Sequence, residues 1–326
     1  MFVVNRASAR AVDNVNGDSK MDLAQTLTGS KPMTKFDKKF DKANLPDVQA
    51  TEDTRGIEIS RVGVEGVHYP LTIKRKNDGK VQVLGEFNMF GSLTKHLKGT
   101  NMSRPIELLM EQGEHTTFSG NTFPPFLELL SKKLGAEDVY VSASFEYWMT
   151  RTSPVSKKEF PLKYDCKFIG QIYKGKVTFV VEASVPITTV CPCSKEMSLT
   201  DKEEGVGRGA HNQRGVVTLQ VVTDPVSPGV WIEDLVEIAE GAGSAPLYAL
   251  LKRPDEKFVT EQAYENPRFV EDVAREAALG VHKIENASWF KVRVRNYEAI
   301  HNHQATAYVC QRKINNEWTT DSRAFF

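Results

Sequence analysis

A Cys-Pro-Cys segment and a histidine downstream of it are the residues of this sequence best suited to bind a metal. Cys191 and Cys193 flank a single proline, and His211 follows later in the chain, beyond residues 199–208. Thiolate and imidazole groups are ligands that suit Zn²⁺, Fe²⁺ and related metals. Because the cysteines are too close together for a zinc knuckle, we expect one to bind the metal and the other to lie beside it. Without a metal, they would be small apolar groups in a loop.

A second group of titratable side chains follows a predicted strand near the C-terminal end. Glu298, His301 and His303 come after Trp289–Arg295, in which apolar and basic residues alternate. If the chain stays extended, His301 and His303 point to the same face. Imidazoles titrate near neutral pH, so the pair is suited to move protons, although solvated surface histidines would have the same pattern. The other histidines are scattered, and we expect them to be structural: His68, His96, His115 and His282.

A charged segment between these two groups supplies carboxylates. It runs from Leu250 to Glu256, and Glu271 follows at the start of a predicted helix. Taken alone, such a segment is usually solvated surface. If the three segments converge, a cysteine, a histidine and a glutamate form a metal site that keeps one coordination position open for water, as catalytic sites do.

The composition restricts the ligands that the chain can attract. Its 326 residues include 42 Lys and Arg against 42 Asp and Glu, so there is no net charge to attract nucleic acid or an anionic membrane. The glycine signatures of Rossmann and P-loop nucleotide sites are absent. Since we find neither a secretory signal nor a membrane-spanning run, we expect a cytoplasmic protein whose four cysteines are free or metal-bound.

The elements that must position these residues follow one order twice. Each half of the sequence predicts two strands, two helices and two more strands. Helices grouped in this way favour an α+β fold with antiparallel sheets over a doubly wound parallel sheet. The predicted elements are Val67–Arg75, Val81–Phe90, Arg104–Gln112, Phe126–Leu134, Val139–Met149 and Lys163–Tyr173 in the first half, and Lys176–Thr189, Gly215–Thr223, Ile232–Ala242, Phe269–Leu279, Trp289–Arg295 and Ala305–Gln311 in the second.

Three parts of the chain can be separated on this basis. Residues 1–44 are polar and lack periodicity, which predicts a disordered N-terminal extension. Residues 45–174 and 175–326 each contain one copy of the repeated order, and the second copy carries the candidate metal ligands.

Seven segments, in this order along the chain, match motifs of one known family. They are Leu45–Gln49, Gly99–Arg104, Cys191–Glu196, Gly209–Arg214, Leu250–Glu256, Phe269–Asp272 and Glu298–His303. Over about residues 46–311 the sequence thereby resembles the type IB GTP cyclohydrolase family. The resemblance implies a tunnelling fold: two tandem β-β-α-α-β-β modules, with helix pairs on one face of the sheets, and subunits that join into β-barrels. It also implies a homotetramer, a dimer of dimers, with active sites at subunit interfaces.

The same resemblance implies a reaction and assigns roles to residues. GTP and water would give 7,8-dihydroneopterin triphosphate and formate, the first step of folate and pterin synthesis, with one divalent metal (Zn, Mn or Fe) and no organic cofactor. The metal ligands would be Cys191, His211 and Glu256. Glu271 would accept hydrogen bonds from guanine. Glu298, His301 and His303 would lie around the metal-bound water and the purine, and Cys193 would lie beside the metal.

Proton delivery and phosphate binding complete the expected mechanism. Water attacks C8 of the purine and a histidine, His301, protonates a ring nitrogen as the ring opens. Because the net charge is zero, a local cluster of cations must hold the triphosphate. The candidates, each of which could equally be an ion-pair partner, are Arg104, Arg214, Lys252 and Arg253.

The sequence departs from the family pattern in two places. Asn101 stands where the family has histidine in Gly-Thr-His-Met-Ser-Arg, so an imidazole is replaced by an amide. The insert at 199–208 is longer than expected, and Gly205, Gly207 and Gly209 predict a flexible loop there.

Two other functions fit parts of the pattern. An NADPH-dependent nitrile reductase of queuosine synthesis shares the tunnelling fold, but its cofactor motif is missing, and Cys191 with His211 favours a metal. A purine- or pterin-binding protein without catalysis would not need the full set of cysteine, histidine and glutamate.

Overall fold

A computed structural model describes residues 46–77, 79–113, 116–200, 209–223 and 229–321. The predicted N-terminal extension, His115 and most of the 199–208 insert lie outside the described residues.

The strands are β1 (Ile59–Lys74), β2 (Lys80–Leu93), β3 (Thr117–Phe118), β4 (Val139–Thr152), β5 (Glu159–Tyr173), β6 (Lys176–Val190), β7 (Asn212–Thr223), β8 (Ala245–Pro246), β9 (Ala287–Asn296), β10 (Ala305–Ile314) and β11 (Glu317–Thr320). The helices are α1 (Ser103–Gly113), α2 (Phe123–Leu134), α3 (Pro192–Ser198), α4 (Ile232–Ala242), α5 (Arg253–Glu265) and α6 (Val270–His282).

The strands form one large sheet. Its order is β11-β10-β9-β7-β6-β5-β4-β2-β1-β3, and β8 pairs with β6 outside this path. Neighbouring strands are antiparallel except for the short parallel contact between β1 and β3. The sheet is continuous through the β5–β6 pair, so the division into modules at residues 174 and 175 stays a prediction.

One face of the sheet is buried under helices. Every second residue of β4 from Val139 to Met149 is buried, and most of their partners on neighbouring strands are buried too, because paired residues point to the same face. Leu109, Leu127, Leu235 and Val273 come from four different helices and belong to one core cluster with these strand residues. The helix pairs α1/α2 and α4/α6 therefore share one face, as the resemblance implied.

Two tyrosines join the strands of the first half to a helix of the second. The Tyr147 hydroxyl donates to Glu233 Oε1 of α4 at 2.6 Å, and the Tyr164 hydroxyl donates to Glu240 Oε1 at 2.6 Å. Arg151 forms an ion pair with the same Glu240 carboxylate. Burial and the neighbouring Glu233 raise the pKa of Tyr147, which keeps its hydroxyl a donor.

The predicted antiparallel α+β architecture is confirmed, and all twelve predicted elements correspond to an observed strand or helix. Two helices were not predicted. The helix α3 has only seven residues and begins at Pro192, and α5 buries only Asp255 and Ala263, so neither has a strong apolar period. In the described part of the chain, no helix has the length and apolar character that a bilayer span requires.

We expect Glu240→Ala to lower the free energy of unfolding by about 3 kcal/mol, because it removes a buried carboxylate and leaves the half-buried Arg151 and the Tyr164 hydroxyl without their acceptor. Urea unfolding at fixed protein concentration measures the loss. Glu237→Ala, an exposed change on the same helix, is the control and should stay within about 0.5 kcal/mol of the parent. Equal transition midpoints for both variants would contradict the role of Glu240.

Candidate active site

The ends of β6 and β9 and the starts of β7 and β10 surround one cavity of about 480 Å³. The predicted chemical groups that line it are Cys191, Cys193, His211, Glu298, His301 and His303. Apolar side chains of Met197, Phe269 and Ile300 complete much of the wall. Six of the predicted site residues therefore come together, although they are spread over more than a hundred positions of the sequence.

Backbone hydrogen bonds hold Cys191 beside His211. Val190 and Asn212 are the last pair of the β6–β7 ladder, and the next amide, that of Cys191, donates to the His211 carbonyl at 3.2 Å. Cys191 caps α3, and its Sγ accepts a hydrogen bond from the Ser194 amide at 3.4 Å. The Ser194 hydroxyl accepts from the His211 amide at 3.2 Å, so one serine fixes both residues.

The chain enters β7 through a glycine. Gly209 has a φ of 94°, a left-handed conformation that strains residues with a Cβ, and it lies two positions before His211. The backbone at Gly209 can therefore make the turn that leads into β7.

One ring nitrogen of His211 has two oxygen atoms near it. Gln213 Oε1 lies 2.9 Å from Nδ1, and Glu298 Oε2 lies 3.7 Å from the same atom. The side chains of His211 and Glu298 are both 15% exposed, so these contacts are shielded from solvent. Because Nδ1 contacts these oxygen atoms, Nε2 is the ring nitrogen that suits a metal.

His301 and His303 form a stacked pair at the exposed side of the cavity. Their ring centroids are 4.9 Å apart with an interplanar angle of 20°. The segment is not extended: residues 297–304 form a loop, in which the His301 amide donates to the Glu298 carbonyl at 3.3 Å. The two rings share a face because of this turn and not because of strand alternation.

The predicted carboxylates Glu256 and Glu271 do not line the cavity. Glu256 is exposed on α5, and Glu271 is exposed in the first turn of α6, two residues after Phe269. Within the described residues, no three His, Cys, Asp or Glu side chains lie close enough to form a complete metal-binding group. The sulfur of Cys191 and the imidazole of His211 nevertheless fit a divalent metal in their chemistry.

The predicted phosphate-binding cations also lie outside the cavity lining. Arg104 is half-buried on α1 and donates to the Lys133 carbonyl at 3.3 Å. Arg214 is exposed on β7, and Lys252 and Arg253 are exposed at the start of α5. Asn101 lies just before α1, where its carbonyl accepts from the Arg104 amide.

A buried carboxylate that sequence reasoning did not identify fixes the start of α5. Asp255 is fully buried and accepts hydrogen bonds from the amides of Val155, Ser156 and Lys252 at 2.7–2.8 Å. Burial opposes ionisation, but these hydrogen bonds outweigh it and hold the pKa of Asp255 well below its usual range. The next residue is Glu256, so its backbone position depends on this carboxylate.

Known proteins share much of this sequence. The family described as type I GTP cyclohydrolase folE2 matches residues 45–307. GTP cyclohydrolase FolE2 of Citrifermentans bemidjiense is 43% identical over 268 residues, 82% of this chain and 95% of that protein. The Geobacter sulfurreducens protein of the same name is 43% identical over 269 residues, 82% of this chain and 99% of that protein. The structure of uricase from Arthrobacter globiformis aligns with a TM-score of 0.44 and 7% identity over 81% of this chain and 97% of that chain, a likeness that supports no further conclusion.

We expect Asp255→Asn to lower the urea midpoint at neutral pH, because an amide cannot accept hydrogen bonds on both of its terminal atoms. The stabilisation belongs to the ionised form, so it is present above the unfolded-state pKa of about 3.9 and is lost as pH falls toward the lowered folded-state value. The difference between parent and variant should thus shrink below about pH 4. Glu265→Gln, exposed at the other end of α5, is the control; a difference for Asp255→Asn that is independent of pH would contradict the assignment.

Proposed function

Because the chain belongs to the type I GTP cyclohydrolase folE2 family, we propose that it is a GTP cyclohydrolase of type IB. It converts GTP and water into 7,8-dihydroneopterin triphosphate and formate, the first step of folate and pterin synthesis. The observation that carries the proposal is the cavity in which Cys191, His211 and Glu298 lie beside the stacked pair His301 and His303.

The proposed metal ligands are Cys191, His211 and Glu256. Cys191 and His211 already face one cavity, and their backbones are hydrogen-bonded to each other. Glu256 is supported by its place in the matching motif and by the buried Asp255 that fixes the preceding position. A divalent metal bound there, Zn, Mn or Fe, supplies Lewis acidity that favours ionisation of water.

The proposed proton donors are the two histidines of the loop between β9 and β10. Their rings are exposed toward the cavity mouth, where a purine can approach, and an imidazole can give a proton to a ring nitrogen near neutral pH. His301 is the proposed donor, and Glu298, held close to His211, orients the groups around it. Cys193 is exposed on the same wall, and its proposed place is beside the metal.

Glu271 is the proposed guanine-binding residue. A carboxylate can accept two parallel N–H hydrogen bonds, which matches the donor edge of guanine. Its position in the first turn of α6, close in sequence to the cavity residue Phe269, supports this role. The proposed triphosphate ligands are Arg104, Arg214, Lys252 and Arg253.

We also propose that the site is completed at an interface between copies, in a homotetramer built as a dimer of dimers. The edges of the sheet support this assembly: β3 covers only Thr72 and Ile73 of β1, and β11 covers only Gln311–Ile314 of β10. Among the described residues the rest of each edge borders no further strand, so it can pair with another copy and close a barrel. A cytoplasmic location is supported by four cysteines that form no disulfide.

The proposed activity is tested by formate release from GTP after chelation and add-back of Mn²⁺, Fe²⁺ or Zn²⁺. We expect His211→Ala to lose both metal and turnover, because it removes a ligand. Glu271→Ala should keep its metal and lose substrate binding. His96→Ala, an exposed histidine outside the cavity, is the matched control. Full turnover by both site variants, or metal-reconstituted protein with no formate release, would overturn the proposal.

The shared site is tested by mixing two inactive variants. If one copy supplies His211 and its neighbour supplies Arg104, random reassembly of His211→Ala with Arg104→Ala subunits restores about a quarter of the sites. Sedimentation analysis should show tetramers before and after mixing. Tetramers that exchange subunits without any return of activity would place both residues in the same copy's site, whereas an Arg104→Ala variant that is active before mixing would remove Arg104 from the site.

A further inference from the structure

A buried hydrogen-bonded chain runs from the imidazole of His211 into the sheet. Gln213 Oε1 lies 2.9 Å from His211 Nδ1, and Gln213 Nε2 donates to Thr189 Oγ1 at 3.0 Å. Gln213 is 8% exposed and Thr189 is fully buried. The two residues are directly opposite each other in the β6–β7 ladder, so the backbone pairing holds them in place.

The polarity of this chain determines which nitrogen of His211 carries hydrogen. A glutamine side chain has one acceptor oxygen and one donor NH₂ group, and it does not titrate. Because the NH₂ group donates to Thr189, the oxygen is the atom that faces His211. The neutral imidazole can bond to that oxygen only if Nδ1 is protonated, which leaves the lone pair on Nε2.

We propose that Gln213, oriented by Thr189, is a positioning residue that holds His211 in the Nδ1–H tautomer and keeps Nε2 available to bind the metal. Metal-binding histidines usually donate their second N–H to a neighbouring oxygen, and loss of that oxygen weakens metal binding. The role of Gln213 in metal binding rests on the proposed function, whereas its effect on the tautomer does not.

Glu298 does not replace this amide. Its Oε2 is 3.7 Å from Nδ1, beyond ordinary hydrogen-bond distance, and it sits on a loop, whereas Gln213 lies within a strand.

The tautomer of His211 can be measured without metal or substrate by ¹⁵N NMR of the metal-free protein. At about pH 8, above the ordinary imidazole pKa of about 6.5, the parent protein should show the Nδ1–H form. Gln213→Leu should shift it toward a mixture that includes Nε2–H, and Gln213→Glu, which retains an acceptor oxygen, should preserve the Nδ1–H form. A parent protein in the Nε2–H form, or an unchanged tautomer in Gln213→Leu, would overturn the proposal.

Zn²⁺ affinity, measured by competition with a chromophoric chelator, is the second readout. We expect Gln213→Leu to bind Zn²⁺ about 10- to 100-fold more weakly. Thr189→Val, which removes the anchor of the amide, should shift both readouts in the same direction by a smaller amount, and it remains informative if Gln213→Leu does not fold. Gln220→Leu is the matched control, because Gln220 lies on the same strand but bonds to Glu182 on the opposite face of the sheet; an equal loss there would overturn the proposal.

The two readouts separate this role from the proposed enzyme function. If the tautomer changes as expected but the parent protein binds no Zn²⁺, Mn²⁺ or Fe²⁺, the positioning role of Gln213 is supported and the metal-dependent function is overturned. If metal binds tightly and both readouts are unaffected by Gln213→Leu, the function stands and the role of Gln213 is overturned.

Discussion

The candidate site depends on the register of a single pair of strands. The ladder between β6 and β7 ends at Val190 and Asn212, and its continuation by one hydrogen bond brings Cys191 and His211 together. Because strand side chains alternate with a period of two, a shift of one residue would turn the thiol and the imidazole to opposite faces. The buried apolar face of both strands opposes such a shift, since it would expose the core residues to water. The large sheet therefore specifies the position of two chemical groups near its end.

The other walls of the cavity are attached to the same strand ends. The Arg268 amide donates to the Val190 carbonyl at 3.0 Å, which holds the start of α6 and Phe269 beside the cysteine segment. The Tyr297 amide donates to the Arg214 carbonyl at 2.9 Å, which holds the loop that carries Glu298. Backbone hydrogen bonds to a rigid sheet thus fix the loops that supply titratable side chains. This arrangement limits the conformational entropy that is lost when those loops are ordered around a ligand.

The sequence predicted the elements that have strong apolar periods and missed those that do not. In strands such as Trp289–Arg295, apolar and polar residues alternate because one face of the strand is buried in the core. The short helix α3 is fixed by the cap at Cys191 and by tertiary bonds, and no period could reveal it. The sequence analysis did not identify Gln213, although it lies two residues from His211 and this spacing places strand side chains on one face. The available signal was a polar residue at a strand position that faces the core and should therefore be apolar.

The predicted site residues divide in the same physical way. Those next to strand ends meet at the cavity, because strand pairing determines where they go. Of the residues that do not line it, Arg104, Arg253, Glu256 and Glu271 lie on helices and Lys252 lies just before one. Arg214 lies near the start of β7 but on its exposed face. Among the described residues that line the cavity there is no lysine or arginine. A cation beside Cys191 would repel a divalent metal, so charges that bind a phosphate chain are better placed at a distance.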